Sequence, residues 1–182
     1  MLLVLGDSFA YWAGRRRELH EHVRTAGWRG GRIADDDFRR WAIATVQRLR
    51  PTRVLLIVGG NDVASNPFSP RVLMGLFSEL ALGIVAAGAA QLHVLPIPPR
   101  AVCRRGPVSV SAFRRRRRLT NLLLRRLCRT RRADFPMAFC HFQPALGFVG
   151  ADGVHPSEVG WASLIHTITS LAVSPSPVEC AL

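Results

Sequence analysis

Short apolar runs that stop at glycine or proline, each followed by a helical segment, recur along this chain. That alternation limits its possible folds more than any other feature. Residues 1–5, MLLVL, end at Gly6, and residues 54–58, VLLIV, end at Gly59-Gly60. "QLHVLPIPP" (91–99) is cut off by prolines, and "MAFCHF" (137–142) is a further short apolar run. Runs of this length bounded by turn residues read as buried strands. Between them, "ADDDFRRWAIATVQRLR" (34–50) reads as a helix. Asp35, Asp36 and Asp37 sit at its N-terminus, and Phe38, Trp41, Ile43, Val46 and Leu49 form an apolar face. "SPRVLMGLFSELALGIVAAGA" (69–89) reads as a helix with Pro70 in its first turn. "VSAFRRRRRLTNLLLRRLCRTRR" (110–132) is a basic helix and "HPSEVGWASLIHTITSLA" (155–172) the last one. Near the start, residues from about 12 to 25 are expected to be helical, with "GWRGGRI" (27–33) a short strand running into a loop. Strands alternating with helices argue for a parallel sheet covered on both faces. The expected arrangement is one domain over residues 1–172 and a frayed tail over 173–182. In such sheets ligands bind beyond the C-terminal ends of the strands. Ser8 and Asn61 both fall there.

Composition narrows the classes. The chain has 182 residues, 48% of them hydrophobic, enough for a substantial core and too apolar for a disordered chain. No apolar run approaches the roughly 20 residues of a membrane-spanning helix, and no basic segment precedes the first apolar run as in a signal peptide. The expected location is intracellular, in the cytoplasm. Cys103, Cys128, Cys140 and Cys180 form no CxxC pair, which fits scattered reduced thiols and no metal site. The net charge of +13 comes from arginine alone, since the chain contains no lysine. Such a field attracts phosphate polymers, and arginine binds phosphate through two parallel donors.

A serine that attacks an ester needs a histidine to take its proton, and a carboxylate to orient the ring. The developing oxyanion needs preorganised donors. "GADGVHPSEVG" supplies Asp152 and His155, separated by two residues in a glycine-containing turn before the last helix. "GGND" supplies the amide of Asn61, and "GDS" supplies Ser8 with its own backbone N–H. Singly, each motif is an ordinary turn or helix cap. Their order, with each at the end of an expected strand or the start of a helix, favours chemistry. No metal or organic cofactor is required.

The order "GDS", "GGND", "DGVHP" resembles the SGNH (GDSL-like) hydrolase superfamily over residues 2–171. The resemblance implies a three-layer α/β/α sandwich around a parallel, flavodoxin-like sheet of about five strands. It also implies Ser8 as nucleophile, His155 as base with Asp152 beside it, and Asn61 as an oxyanion donor. An oxyanion glycine is implied in "RGGRIADDDF", where Gly31 is expected and Gly30 is the alternative. The "GDSF" block lacks the leucine of the GDSL name. The arginine runs resemble more closely the esterase-like domains of mobile-element proteins. Sites of this superfamily are shallow and open, so a small, acetyl-like acyl ester is the expected substrate.

The remaining polar residues have plainer readings. Asp7 is expected to hold the nucleophile turn and Asp62 to fix the loop after Asn61. His20 and His22 are expected on a solvated early helix, His93 in a strand and His166 on the last helix. His141 follows a strand and could reach the rim of the site. Arg114, Arg115, Arg116, Arg117 and Arg118 encircle their helix, which offers a surface for RNA or another polyanion, joined by Arg15, Arg16 and Arg17 if the two helices share a face. The competing reading is therefore a catalytically silent module of the same fold that binds RNA through these arginines. A complete set of site residues favours the enzyme.

Overall fold

The computed structural model describes residues 1–103, 108–130 and 136–174. Most of the expected tail, from residue 175 onward, lies outside the described residues. Five strands, β1 (Leu2–Gly6), β2 (Val23–Gly27), β3 (Arg53–Ile57), β4 (Gln91–Val94) and β5 (Met137–Phe139), form one sheet in the order β2-β1-β3-β4-β5, with every pair parallel. This is the flavodoxin-like order, in which the chain reverses its direction of growth between β1 and β3. The helices are α1 (Ser8–Ala13), α2 (Asp36–Leu49), α3 (Gly60–Val63), α4 (Pro70–Ala86), α5 (Val110–Thr130) and α6 (Glu158–Val173).

Strand periodicity divides the core into two layers. Leu3, Leu5, Val54 and Leu56 point to one face and pack with Phe38 of α2, Phe77 of α4, and Phe113 and Leu124 of α5. Leu2, Val4, Leu55 and Ile57 point to the other and pack with Phe9 and Ala13 of α1 and with Trp161, Leu164 and Ile168 of α6. Both faces of β1 and β3 are buried, so these strands read as continuous apolar runs rather than alternating ones. The α/β/α sandwich expected from the sequence is the observed architecture.

The start of the chain differs from the expectation of a helix over residues 12–25. Helix α1 begins at Ser8, where the Asp7 carboxylate accepts the N–H of Phe9 at 3.0 Å, and it stops before Gly14. The second strand is VRTAG at 23–27, upstream of the expected GWRGGRI. It is an edge strand in which only Val23 is buried, so its apolar signal is faint and Arg24 masks it. His20 and His22 accordingly lie in the turn before β2, not on a helix.

Several arginines serve the scaffold. The Arg53 guanidinium donates to the carbonyls of Leu171, Ala172 and Ser174, satisfying the open C-terminal end of α6. Among the described residues, no helix is long and apolar enough to cross a membrane.

Candidate active site

The site is built at the reversal point of the sheet. Ser8 is the first residue of α1, directly beyond β1. Asn61 lies in the short helix α3 beyond β3. Asp152 and His155 lie in the turn before α6. His155 Nε2 is 2.9 Å from Ser8 Oγ, and His155 Nδ1 is 2.6 Å from Asp152 Oδ2. The other oxygen of Asp152 accepts the backbone N–H groups of Val154 and His155, each at 2.9 Å, so the carboxylate holds both the ring and the turn that carries it. Partial burial by itself would raise the Asp152 carboxyl. The hydrogen bonds from the Val154 N–H and from the ring and N–H of His155 outweigh it and bring the pKa down to about 2. An imidazole bonded to a carboxylate on one nitrogen and to a hydroxyl on the other can take the hydroxyl proton and carry the resulting charge.

The two flanking aspartates are structural, as the sequence indicated. Asp7 is buried and caps α1. Burial pushes its carboxyl up to about 6, against the pull of the Arg100 charge and the Phe9 N–H. Asp62 accepts the N–H groups of Ile33 and Ala34 at 3.0 and 2.9 Å, tying the β2–α2 loop to α3.

That loop carries the two candidate glycines in different settings. The N–H of Gly31 closes a turn on the Trp28 carbonyl at 2.9 Å, and its own carbonyl accepts from Asn61 Nδ2 at 3.0 Å. Gly31 is therefore engaged on both sides and does not line the cavity. Gly30 does line it, with φ of +77°, a left-handed conformation that suits glycine. Of the two candidates, the alternative Gly30 faces the cavity and the expected Gly31 does not. The Asn61 amide has two N–H groups, one held by Gly31, and its oxygen accepts from Arg100 Nη2 at 3.1 Å, which fixes the orientation of the amide.

A cavity of about 580 Å³ opens over Ser8. Its walls include Trp12, Ala64, Val154 and Trp161, with Arg15, Arg16, Arg29 and Arg100 around them. His141, expected near the rim, is not among the residues that line the cavity. Arg100, only 7% exposed, was not singled out by the sequence, where it is one arginine among 25 in a chain without lysine. A faint signal was available in Gly60. A side chain there would bring a Cβ to 2.7 Å from the Arg100 guanidinium, so glycine leaves room for the charge.

A scan against protein-family models matches the GDSL-like lipase/acylhydrolase family over residues 4–162. The chain belongs to this family. It is accordingly a serine hydrolase acting on ester bonds. Among solved structures, a GDSL-like lipase from Bacteroides thetaiotaomicron shares 18% identity with it at a TM-score of 0.74, covering 100% of this chain and 88% of that one. A carbohydrate esterase of family 3 from Talaromyces cellulolyticus shares 18% identity at a TM-score of 0.68, covering 96% and 99%. An acetyl esterase point mutant with acetate ion shares 19% identity at a TM-score of 0.68, covering 94% and 95%. At such identities these likenesses establish the fold. A search of curated proteins gives no significant match.

The arginine helix of this acylhydrolase is less open than its sequence implies. Of the five successive arginines, Arg116 turns inward and donates to the Ser65 carbonyl and the Asn66 side chain, both at 2.9 Å. Arg117 donates to the Ile97 carbonyl at 3.2 Å. Arg114, Arg115 and Arg118 remain exposed. The five do not form one cationic surface, because the period of the helix sends two of them against the loops after β3 and β4.

Proposed function

We propose that this chain is a serine esterase that removes a small, acetyl-like acyl group through Ser8, His155 and Asp152. The observation that carries this reading is the unbroken run of contacts from the Asp152 carboxylate through both nitrogens of His155 to the Ser8 hydroxyl. Ser8 Oγ attacks the ester carbonyl while His155 Nε2 takes its proton, and the imidazolium is held by Asp152. His155 then gives that proton to the departing alcohol oxygen, leaving an acyl group on Ser8. Water, deprotonated by His155, releases the acid. The tetrahedral oxyanion is received by the Ser8 N–H, one of the open donors at the start of α1, by the Gly30 N–H and by the second N–H of Asn61.

A small acyl group fits the cavity walls. Four arginines stand among Trp12, Ala64, Val154 and Trp161 in the lining, a mixture that disfavours a long alkyl chain. The acetyl esterase among the structural relatives supports the same reading. The test is labelling with a fluorophosphonate together with hydrolysis of p-nitrophenyl acetate, in the wild type and in Ser8→Ala. Labelling and turnover are expected in the wild type and lost in the variant. Equal background rates and no labelling in both would overturn the reading.

A further inference from the structure

Resting on the esterase reading above, we propose that the ester this site takes carries an anionic group, such as a sulfonate or phosphate, on its alcohol portion, held by Arg15 and Arg29. Four arginines reach the cavity from separate parts of the chain: Arg15 and Arg16 after α1, Arg29 in the β2–α2 loop and Arg100 after β4. Asp152 is the one carboxylate among the described lining residues, and both its oxygens are turned to His155 and the backbone of its own turn.

Three of the four guanidiniums make hydrogen bonds, and Arg15 spends its own on Tyr11, donating to the carbonyl at 3.2 Å and to the hydroxyl at 2.6 Å. Arg16 makes two bonds of 2.9 Å to Glu158, and Arg100 donates to Asn61. Arg15 and Arg29 meet no carboxylate among the described residues and share one pair of aromatic rings instead. Arg15 lies 3.7 Å from the Tyr11 ring centre and 5.6 Å from that of Trp12. Arg29 lies 5.5 and 5.7 Å from the same two centres. Two cations gathered on one aromatic pair repel each other, and the ring faces offset only part of that repulsion. An anion between them would turn the repulsion into attraction, and the guanidinium fork matches the oxygens of a phosphate or sulfonate.

Position assigns the anion to the alcohol side. His155 must protonate the leaving oxygen, so the departing group lies beside the His155 ring. The ring standing edge-on to His155, at 6.4 Å between centres, is Trp12, on which Arg15 and Arg29 both sit. The carbonyl oxygen lies toward Asn61 and Gly30. A negative group on the alcohol therefore leaves past the two arginines, whereas one on the acyl group is directed elsewhere.

The experiment compares kcat/KM for 4-acetoxybenzenesulfonate and for the neutral 4-(methylsulfonyl)phenyl acetate, each divided by its own alkaline hydrolysis rate to remove leaving-group differences. The wild type at low salt is expected to favour the sulfonate by about tenfold or more. That ratio should fall toward one in Arg15→Gln/Arg29→Gln and in high salt, and persist in Arg114→Gln/Arg115→Gln/Arg118→Gln. A wild-type ratio near one with ready hydrolysis of the neutral ester overturns the proposal and leaves the esterase reading standing. A ratio lost equally in the α5 variant overturns it as well, since a diffuse field and not these two residues would then be responsible. If neither ester is hydrolysed, the esterase reading fails and takes this one with it. Should circular dichroism show the double variant unfolded, the salt titration of the wild type decides, and a flat ratio overturns the proposal.

Discussion

Arginine is concentrated in two regions of this molecule, the cavity over Ser8 and helix α5, and they use it in opposite ways. On α5 five arginines are adjacent in sequence, and the helix distributes them around its circumference: two bind loop carbonyls and three face solvent. Around the cavity only two, Arg15 and Arg16, are adjacent in sequence, yet four converge from separate segments on one opening. Density along the chain is thus a poor guide to the local field, which depends on which side chains the fold points at a common volume. Two consequences follow. Changes in the cavity should act on chemistry and on titration behaviour. Changes on α5 should act on stability at the inward positions and on nothing at the outward ones.

The widest separation between the regions is expected from Ser8→Ala, which should lower kcat for p-nitrophenyl acetate by a factor on the order of 10⁶, judged by the cost of removing a serine nucleophile elsewhere. Asp152→Asn comes next, with a loss of about 10⁴ in kcat and little change in KM, because the ring loses the partner that orients it and balances its charge. Initial-rate kinetics check both, and a loss below tenfold in either would break the assignment of the cavity as the chemical region.

Titration gives the third contrast. Burial raises the Asp7 carboxyl from 3.8 to about 6, so the folded state holds this proton more tightly than the unfolded chain. Its contribution to stability is full below about pH 4 and is lost as pH rises to about 6. The loss amounts to about 3 kcal/mol across that window, and Asp7→Asn should flatten it in urea denaturation measured over the same range. Asp152 has the opposite sign: its contribution is present above about pH 4 and is lost as pH falls toward 2.

On α5 the inward position carries the larger effect. Arg116→Ala leaves the Ser65 carbonyl and the Asn66 side chain without their donor and should cost about 1–3 kcal/mol in the same denaturation assay. The smallest effect belongs to Arg114→Gln/Arg115→Gln/Arg118→Gln, expected within about 0.5 kcal/mol of wild type with hydrolysis of the neutral ester unchanged. A larger change there would show that the outward arginines are not passive and would erase the distinction between the two regions.

The central strands and the residues at their ends were legible in the sequence. β1 and β3 are buried on both faces, so their apolar runs are continuous and their stops abrupt. Ser8 and Asn61 follow those stops directly, and the turn at Asp152 to His155 is marked by its glycines and the helix after it. The edge strand β2 was not legible in its true place, because only Val23 of its five residues is buried and burial is what writes an apolar pattern into a sequence. Tertiary structure alone decided the rest. Gly30 and Gly31 are identical as letters, and only the turn onto Trp28 shows which N–H is already engaged. Arg100, Arg15 and Arg29 look like any other arginines in a chain that has no lysine, and only the folded chain brings them to one cavity. The physical reason is the same in each case. Hydrophobic burial imposes a local period that the sequence displays, whereas hydrogen bonds and charge clusters join residues far apart in the chain and leave no period to read.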